Sequence, residues 1–279
     1  MFSINPFAEL SVHIPAAVMQ AYLFLMILAV VGGTLFDVIH KGSAKYFFSN
    51  FRKSKEQGSP LGVGTKAGVV AKTIASDVLT SSELCGWKRR TAHLLGMYGF
   101  VLNVGATLMM VMFYTTPEGS TPAIWPQLWT IGAIMVCTGT SWFWFFIRVD
   151  VSAEGSSPFR IVRADLFILS VFATNAFALL WAYVQSIDSA WAFVFLICYL
   201  IATTVLFGGV PWSKFSHMFF KPAAAMEKGF SVANGSRNNL PEPADRSDPE
   251  TRDRHSMLLL KDAPLNMGLG IKRESPNHY

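Results

Sequence analysis

The chain of 279 residues is 52% hydrophobic, 14% aromatic and only 15% charged, with a net charge of +5 and a mean hydropathy of +0.37. One soluble core cannot hide that much apolar surface, so a membrane protein is expected. The basic balance does not indicate nucleic acid, because Lys and Arg are interleaved with apolar spans. The three cysteines, Cys85, Cys137 and Cys198, are too scattered for an iron–sulfur or structural zinc site within this chain.

The N-terminus lacks the basic segment and small-residue cleavage pattern of a signal peptide, so its first apolar run reads as a retained helix. A hydrocarbon layer about 30 Å thick needs roughly 20 apolar residues per helix. Helices are predicted over 15–38, 91–114, 123–147, 166–184 and 191–220. In the last, the apolar run is Trp191–Val210, and the helix either continues past Pro211 or kinks there. Of the 23 Lys and Arg, ten lie in 41–90, three in 148–163 and ten from Lys214 onward. The N-terminus and the loops 115–122 and 185–190 contain none and carry Glu9, Glu118 and Asp188. The positive-inside rule then gives an all-α, integral membrane five-helix bundle over 1–222, with the N-terminus outside and the C-terminus cytoplasmic. A bacterial cytoplasmic (inner) membrane location is expected, with lipid around the helices.

The cytoplasmic loop 41–90 contains a surface helix in which Val69, Val70, Ile74 and Val78 share a face, edged by Lys66 and Lys72. It is expected to rest on the membrane surface. Residues 223–279 are too polar to bury a core and read as a flexible tail. Its short apolar pieces, Met257–Leu260 and Leu265–Ile271, are either a docking peptide or unused.

Ionisable side chains near membrane depth are functional candidates. His13 reads as an interfacial cap, and His255 and His278 lie in the tail. His93 and His217 each lie near the cytoplasmic end of a helix and so at similar depth. That suits two axial ligands of a b-type haem, for which Gly96, three residues after His93, clears space on the same face. Ser213 and Gly209 would share the face of His217 if its helix continues past Pro211. Arg89, Arg90 and Lys214 are the candidate propionate partners. The other reading is of interfacial histidines among ordinary positive-inside charges. His40, with Asp37 three residues before it, is an alternative ligand, a quinone-site donor or a plain helix-end contact. A small transporter would need polar groups converging at mid-membrane, and only Asn103, Thr174 and Asn175 are available. No internal repeat or pair of broken helices supports transport.

Two motifs carry a resemblance. Arg89-Arg90-Thr-Ala-His93-Leu-Leu-Gly-Met-Tyr-Gly99-Phe100 and Pro211-Trp-Ser-Lys-Phe-Ser-His217-Met-Phe-Phe-Lys-Pro222 resemble the cytochrome b fold of the nitrate reductase gamma subunit and its relatives. Ser76-Asp77-Val-Leu, leading into Cys85-Gly-Trp-Lys-Arg-Arg90, is most similar to the membrane domain of the quinone-interacting oxidoreductase. It is also similar to the membrane anchor associated with adenylylsulfate reductase in sulfur-oxidising bacteria. The resemblance covers roughly Ile14–Pro222. It implies quinone-linked electron transfer, with His93 and His217 matching the ligands of the haem nearest the cytoplasm. In the nitrate reductase pattern further histidines bind a distal haem, and here those positions are Asn103 and Tyr199, so a second haem is not expected. The cysteine-rich soluble domain of the quinone-interacting oxidoreductase is missing here, so a separate cytoplasmic iron–sulfur flavoenzyme must supply electrons, and the adenylylsulfate reductase anchor is the better match. Nothing in the sequence serves as acid, base or nucleophile for sulfur chemistry, which assigns a non-catalytic role within the complex.

Overall fold

The computed structural model describes residues 2–40, 42–82, 84, 87–116, 121–148, 159–162, 165–213, 215–238 and 240, and among them every regular element is helical. The elements are α1 (Pro6–Leu10), α2 (Ala16–His40), α3 (Ser43–Gln57), α4 (Val63–Lys72), α5 (Trp87–Phe113), α6 (Ile124–Phe146), α7 (Leu166–Gln185), α8 (Ala192–Gly208) and α9 (His217–Ala233). A π-helical turn, Thr73–Leu79, continues α4, and a 3-10 turn, Val210–Trp212, follows α8. Four helices, α2, α5, α6 and α7, are long and apolar enough to cross a membrane, and α8 is a shorter apolar helix of 17 residues.

Lipid tails are as apolar as leucine, so close packing rather than hydrophobic burial must join such helices. Between α5 and α6 glycines provide it. A Cβ on Gly132 would stand 2.7 Å from the Asn103 nitrogen and from the Gly99 carbonyl, and one on Gly139 would stand 2.6 Å from the Ala92 carbonyl. Helix α6 also packs on α7, and α7 on α8; α2 lies against the face formed by α5 and α8.

The two ends of the bundle differ in charge. At one, the Asn5 side chain caps α1 by accepting from the Phe7 and Ala8 amides, and its Nδ2 donates to the Tyr114 carbonyl at 2.8 Å. Gln185 donates to the Pro6 carbonyl at 2.9 Å, closing this end. Helix α1, which sequence periodicity did not disclose, drives Phe7 edge-on against Trp129 and Trp181. The sequence places no Lys or Arg in 1–40, 91–147 or 164–213, so the opposite end holds the cations. There Arg148 pairs with Asp165 and lies 4.2 Å over the Trp144 ring, clipping α6 to the start of α7.

Three expectations change. The fifth helix does not run to residue 220 but stops at Gly208. Pro211 lacks the amide that would continue it and its ring crowds the preceding turn, so the chain passes through the 3-10 turn to an extended Ser213. Residues 223–233 belong not to the tail but to α9, which packs on α3 and α4. Asn234, at the end of α9, donates to the Ser54 carbonyl and hydroxyl at 2.9 and 3.1 Å, a buried polar clamp on α3. The face predicted on α4 is also divided. Val69 meets Gly229 of α9, whereas Ile74 turns outward, 49% exposed, because the π-helical turn shifts the register from Thr73. The tail from residue 241, with both apolar pieces, lies outside the described residues.

Candidate functional site

The basic end carries the candidate site. His93 lies in the second turn of α5, and its Nδ1 is 3.1 Å from the Ser81 hydroxyl. Ser81 is buried and has a φ of 49°, in the left-handed region that costs a serine about 1–3 kcal/mol. The surrounding bend holds it there. Ser76 and Ser82 both donate to Asp77 Oδ1, at 3.0 and 2.8 Å, and Tyr98 donates to the Leu79 carbonyl at 2.7 Å. In the tautomer whose Nδ1–H donates to Ser81, His93 Nε2 is bare, the arrangement in which a second partner orients a metal-binding imidazole.

His217 opens α9, immediately after the break that Pro211 imposes. The preceding Ser216 donates to Asp37 Oδ2 at 2.9 Å, and the His217 ring stands edge-on to Phe167 at 5.7 Å. Helices α2, α7 and α9 therefore fix its position together. Ser213 and Gly209 do not extend its face, since no helix connects them to it. His217 and Lys221, from a distant segment of the chain, are near enough for their charges to act on His93.

Space is open on the helix face that His93 shares with Gly96. A Cβ placed on Gly96, one turn beyond His93, would meet nothing within 4 Å. Among the described residues no three His, Cys, Asp or Glu side chains converge as a metal site, and two-imidazole haem ligation needs no third. Arg89 and Arg90 are half-buried at the start of α5. Arg90 Nη2 donates to the Ser82 carbonyl at 3.2 Å, so part of its guanidinium is engaged by the Ser81 bend. Lys214 lies outside the described residues, whereas Lys221, exposed one turn after His217, is a cation that sequence reading did not single out.

His40 is exposed at the end of α2 and stacked on Phe36 at 5.3 Å. The carboxylate of Asp37, expected beside it, is buried against Ser216. Sequence reading also missed Ser81, whose one visible signal was its place in the Ser-rich stretch before Arg89.

Asn103 and Tyr199, which stand where the resemblance locates ligands of a distal haem, both line a cleft of about 420 Å³ between α2, α5 and α8. Asn103 Nδ2 donates to the Trp129 carbonyl at 3.0 Å and Tyr199 stacks on Trp181 at 5.7 Å, so both side chains are occupied structurally. No family model, curated protein or solved structure matches this chain.

Proposed function

We propose that this chain is the membrane anchor and electron-transfer subunit of an oxidoreductase complex, linking a cytoplasmic iron–sulfur flavoenzyme of the adenylylsulfate reductase kind to quinone through one b-type haem. One observation carries the reading. His93 and His217, from opposite parts of the sequence, come within electrostatic reach of each other at the basic end, and His93 is already oriented by Ser81. Bound there, the haem supplies one-electron transfer. The chain's residues do the positioning: Ser81 holds the His93 ring, Asp37 and Ser216 place His217, and Arg89, Lys214 and Lys221 would offer charge to propionates.

The proposed topology has five spans in a bacterial cytoplasmic membrane, with the N-terminus outside and the C-terminus inside. Helix α8, about 26 Å long at 1.5 Å per residue, becomes long enough with the 3-10 turn that follows it. The enzyme would dock on the basic end, where Lys and Arg attract an acidic partner more weakly as salt rises. Sulfite oxidation with AMP belongs to that partner.

A haem-free anchor for the same enzyme is the second reading, favoured by the non-ligating Asn103 and Tyr199 at the distal positions. A dithionite-reduced minus oxidised spectrum, with a pyridine haemochrome count, separates the two. The expected result is one haem b per chain, lost in His93→Ala and in His217→Ala. A folded preparation from the native host without haem overturns the electron-transfer role and leaves the anchor.

A further inference from the structure

Helix α3 (Ser43–Gln57) follows α2 after only Lys41 and Gly42, and Gly42 turns the chain with a φ of 64°. Phe36 and Ile39, near the end of α2, are 52% and 78% exposed, which suits hydrocarbon almost up to that turn. The headgroup layer, about 5–7 Å deep on each side of a bilayer, therefore begins close to Gly42.

One flank of α3 is held inside the protein, where Ser54 is buried against Asn234 and Phe51 meets the Phe230 ring edge-on at 6.1 Å. The adjoining flank is open and combines an aromatic ring with cations. Phe48 is 66% exposed, and at helical spacing it is bordered by Lys45, Phe51, Arg52 and Lys55. The three cations are exposed, and among the described residues no carboxylate pairs with them. The helix carries Lys45, Arg52, Lys53 and Lys55 against Glu56 alone.

This composition suits a bilayer surface, where aromatic rings settle at headgroup level and the long stems of Lys and Arg carry their charges to lipid phosphates. Phe48 lies about 9 Å beyond Gly42 along α3, and helical side chains lean toward the N-terminus, here toward the end of α2. That nearness favours lipid over an acidic protein, which would have to enter the headgroup layer to reach the ring. We propose that α3 lies along the membrane surface and binds anionic phospholipid, with Phe48 set into the headgroup layer and Lys45, Arg52 and Lys55 on lipid phosphates. The membrane contact expected of α4, whose Val69 is taken up by α9, thereby falls to α3. Haem plays no part in this, so the proposal stands or fails apart from the electron-transfer reading.

Two measurements on the full-length protein test it. Released from micelles holding equal phosphatidylglycerol and phosphatidylcholine, the protein should retain phosphatidylglycerol at least about fivefold over phosphatidylcholine in native mass spectrometry, the worth of one cation near an anionic surface. Lys45→Gln/Arg52→Gln/Lys55→Gln should remove most of that preference, whereas Lys66→Gln/Lys72→Gln, at exposed positions of α4, should leave it intact. In nanodiscs of the same mixture, with the native cysteines changed to Ser, a nitroxide on Phe48→Cys should collide more with oxygen, which partitions into lipid, than with a water-soluble nickel chelate. One on Gln57→Cys, on the opposite side of α3, should do the reverse. Parent protein that retains both lipids equally overturns the proposal, as does a preference that survives the triple substitution or falls as far with the α4 pair. Equal nickel access at both labelled positions also overturns it, and would open the stripe to an acidic protein partner instead. The two measurements use different variants, so failure of one variant to fold leaves the other measurement decisive.

Discussion

The least expected residue is Ser81, a non-glycine in left-handed conformation whose hydroxyl meets the ring of His93. Strained residues persist where their surroundings over-determine them, and here the Asp77 hydrogen bonds and Arg90 do so. Substituting Ser81 separates strain from positioning. Ser81→Gly removes the conformational cost together with the hydroxyl, so the protein without haem should be at least as heat-stable as the parent. Its haem affinity should nevertheless fall about 10- to 100-fold, the usual effect of losing the group that orients a ligating imidazole. Ser81→Asn, which tolerates the same φ and keeps an acceptor, should recover much of the loss. Haem titration followed by absorbance, alongside thermal unfolding, gives both readouts. Unchanged affinity in Ser81→Gly would reduce Ser81 to a turn residue.

Among the helices, the closest seam is that of α5 and α6, and it is written in Gly99, Gly132 and Gly139. At Gly132 even a methyl group has no room, since both nearest atoms are backbone of α5. Gly132→Ala should force the pair apart and cost about 1–3 kcal/mol in detergent. Gly105→Ala serves as the control, because a Cβ there meets nothing within 4 Å and alanine suits a helix better by roughly 0.5–1 kcal/mol. Opposite changes in melting temperature are expected; equal ones would show that the seam does not limit stability. The apolar runs themselves were legible, and the first four predicted helices match α2, α5, α6 and α7 within a few residues at either end. Helix α1 was not, since five residues capped by Asn5 are too few for a periodic signal. The end of α8 was half legible: Pro211 marked a kink or a continuation, and only the fold shows the chain leaving the helix and restarting at His217.

At the level of the whole molecule, the charge asymmetry could be read in advance because it depends on residue type and approximate depth, and the histidine pair is proposed on the same grounds. Asp37, Ser81 and Lys221 could not, since their roles depend on where a bend and a restarted helix bring the chain back. The proposed orientation rests on the same asymmetry. Residues 186–190 and the N-terminus share the end without cations, whereas α3, α4 and α9 gather at the other. Moving Lys and Arg across a bilayer is expensive, so the bare end should face outward. In a background with Cys85, Cys137 and Cys198 changed to Ser, single cysteines at two exposed positions test this. Ala190→Cys should react with a membrane-impermeant maleimide in intact spheroplasts, and Ala71→Cys on α4 only after lysis. The reverse pattern would invert the bundle, turn His93 and His217 away from the cytoplasm, and remove any path from a cytoplasmic enzyme to them. Labelling of both before lysis would take α4 out of the cytoplasm, and with it the docking face that the proposed complex requires.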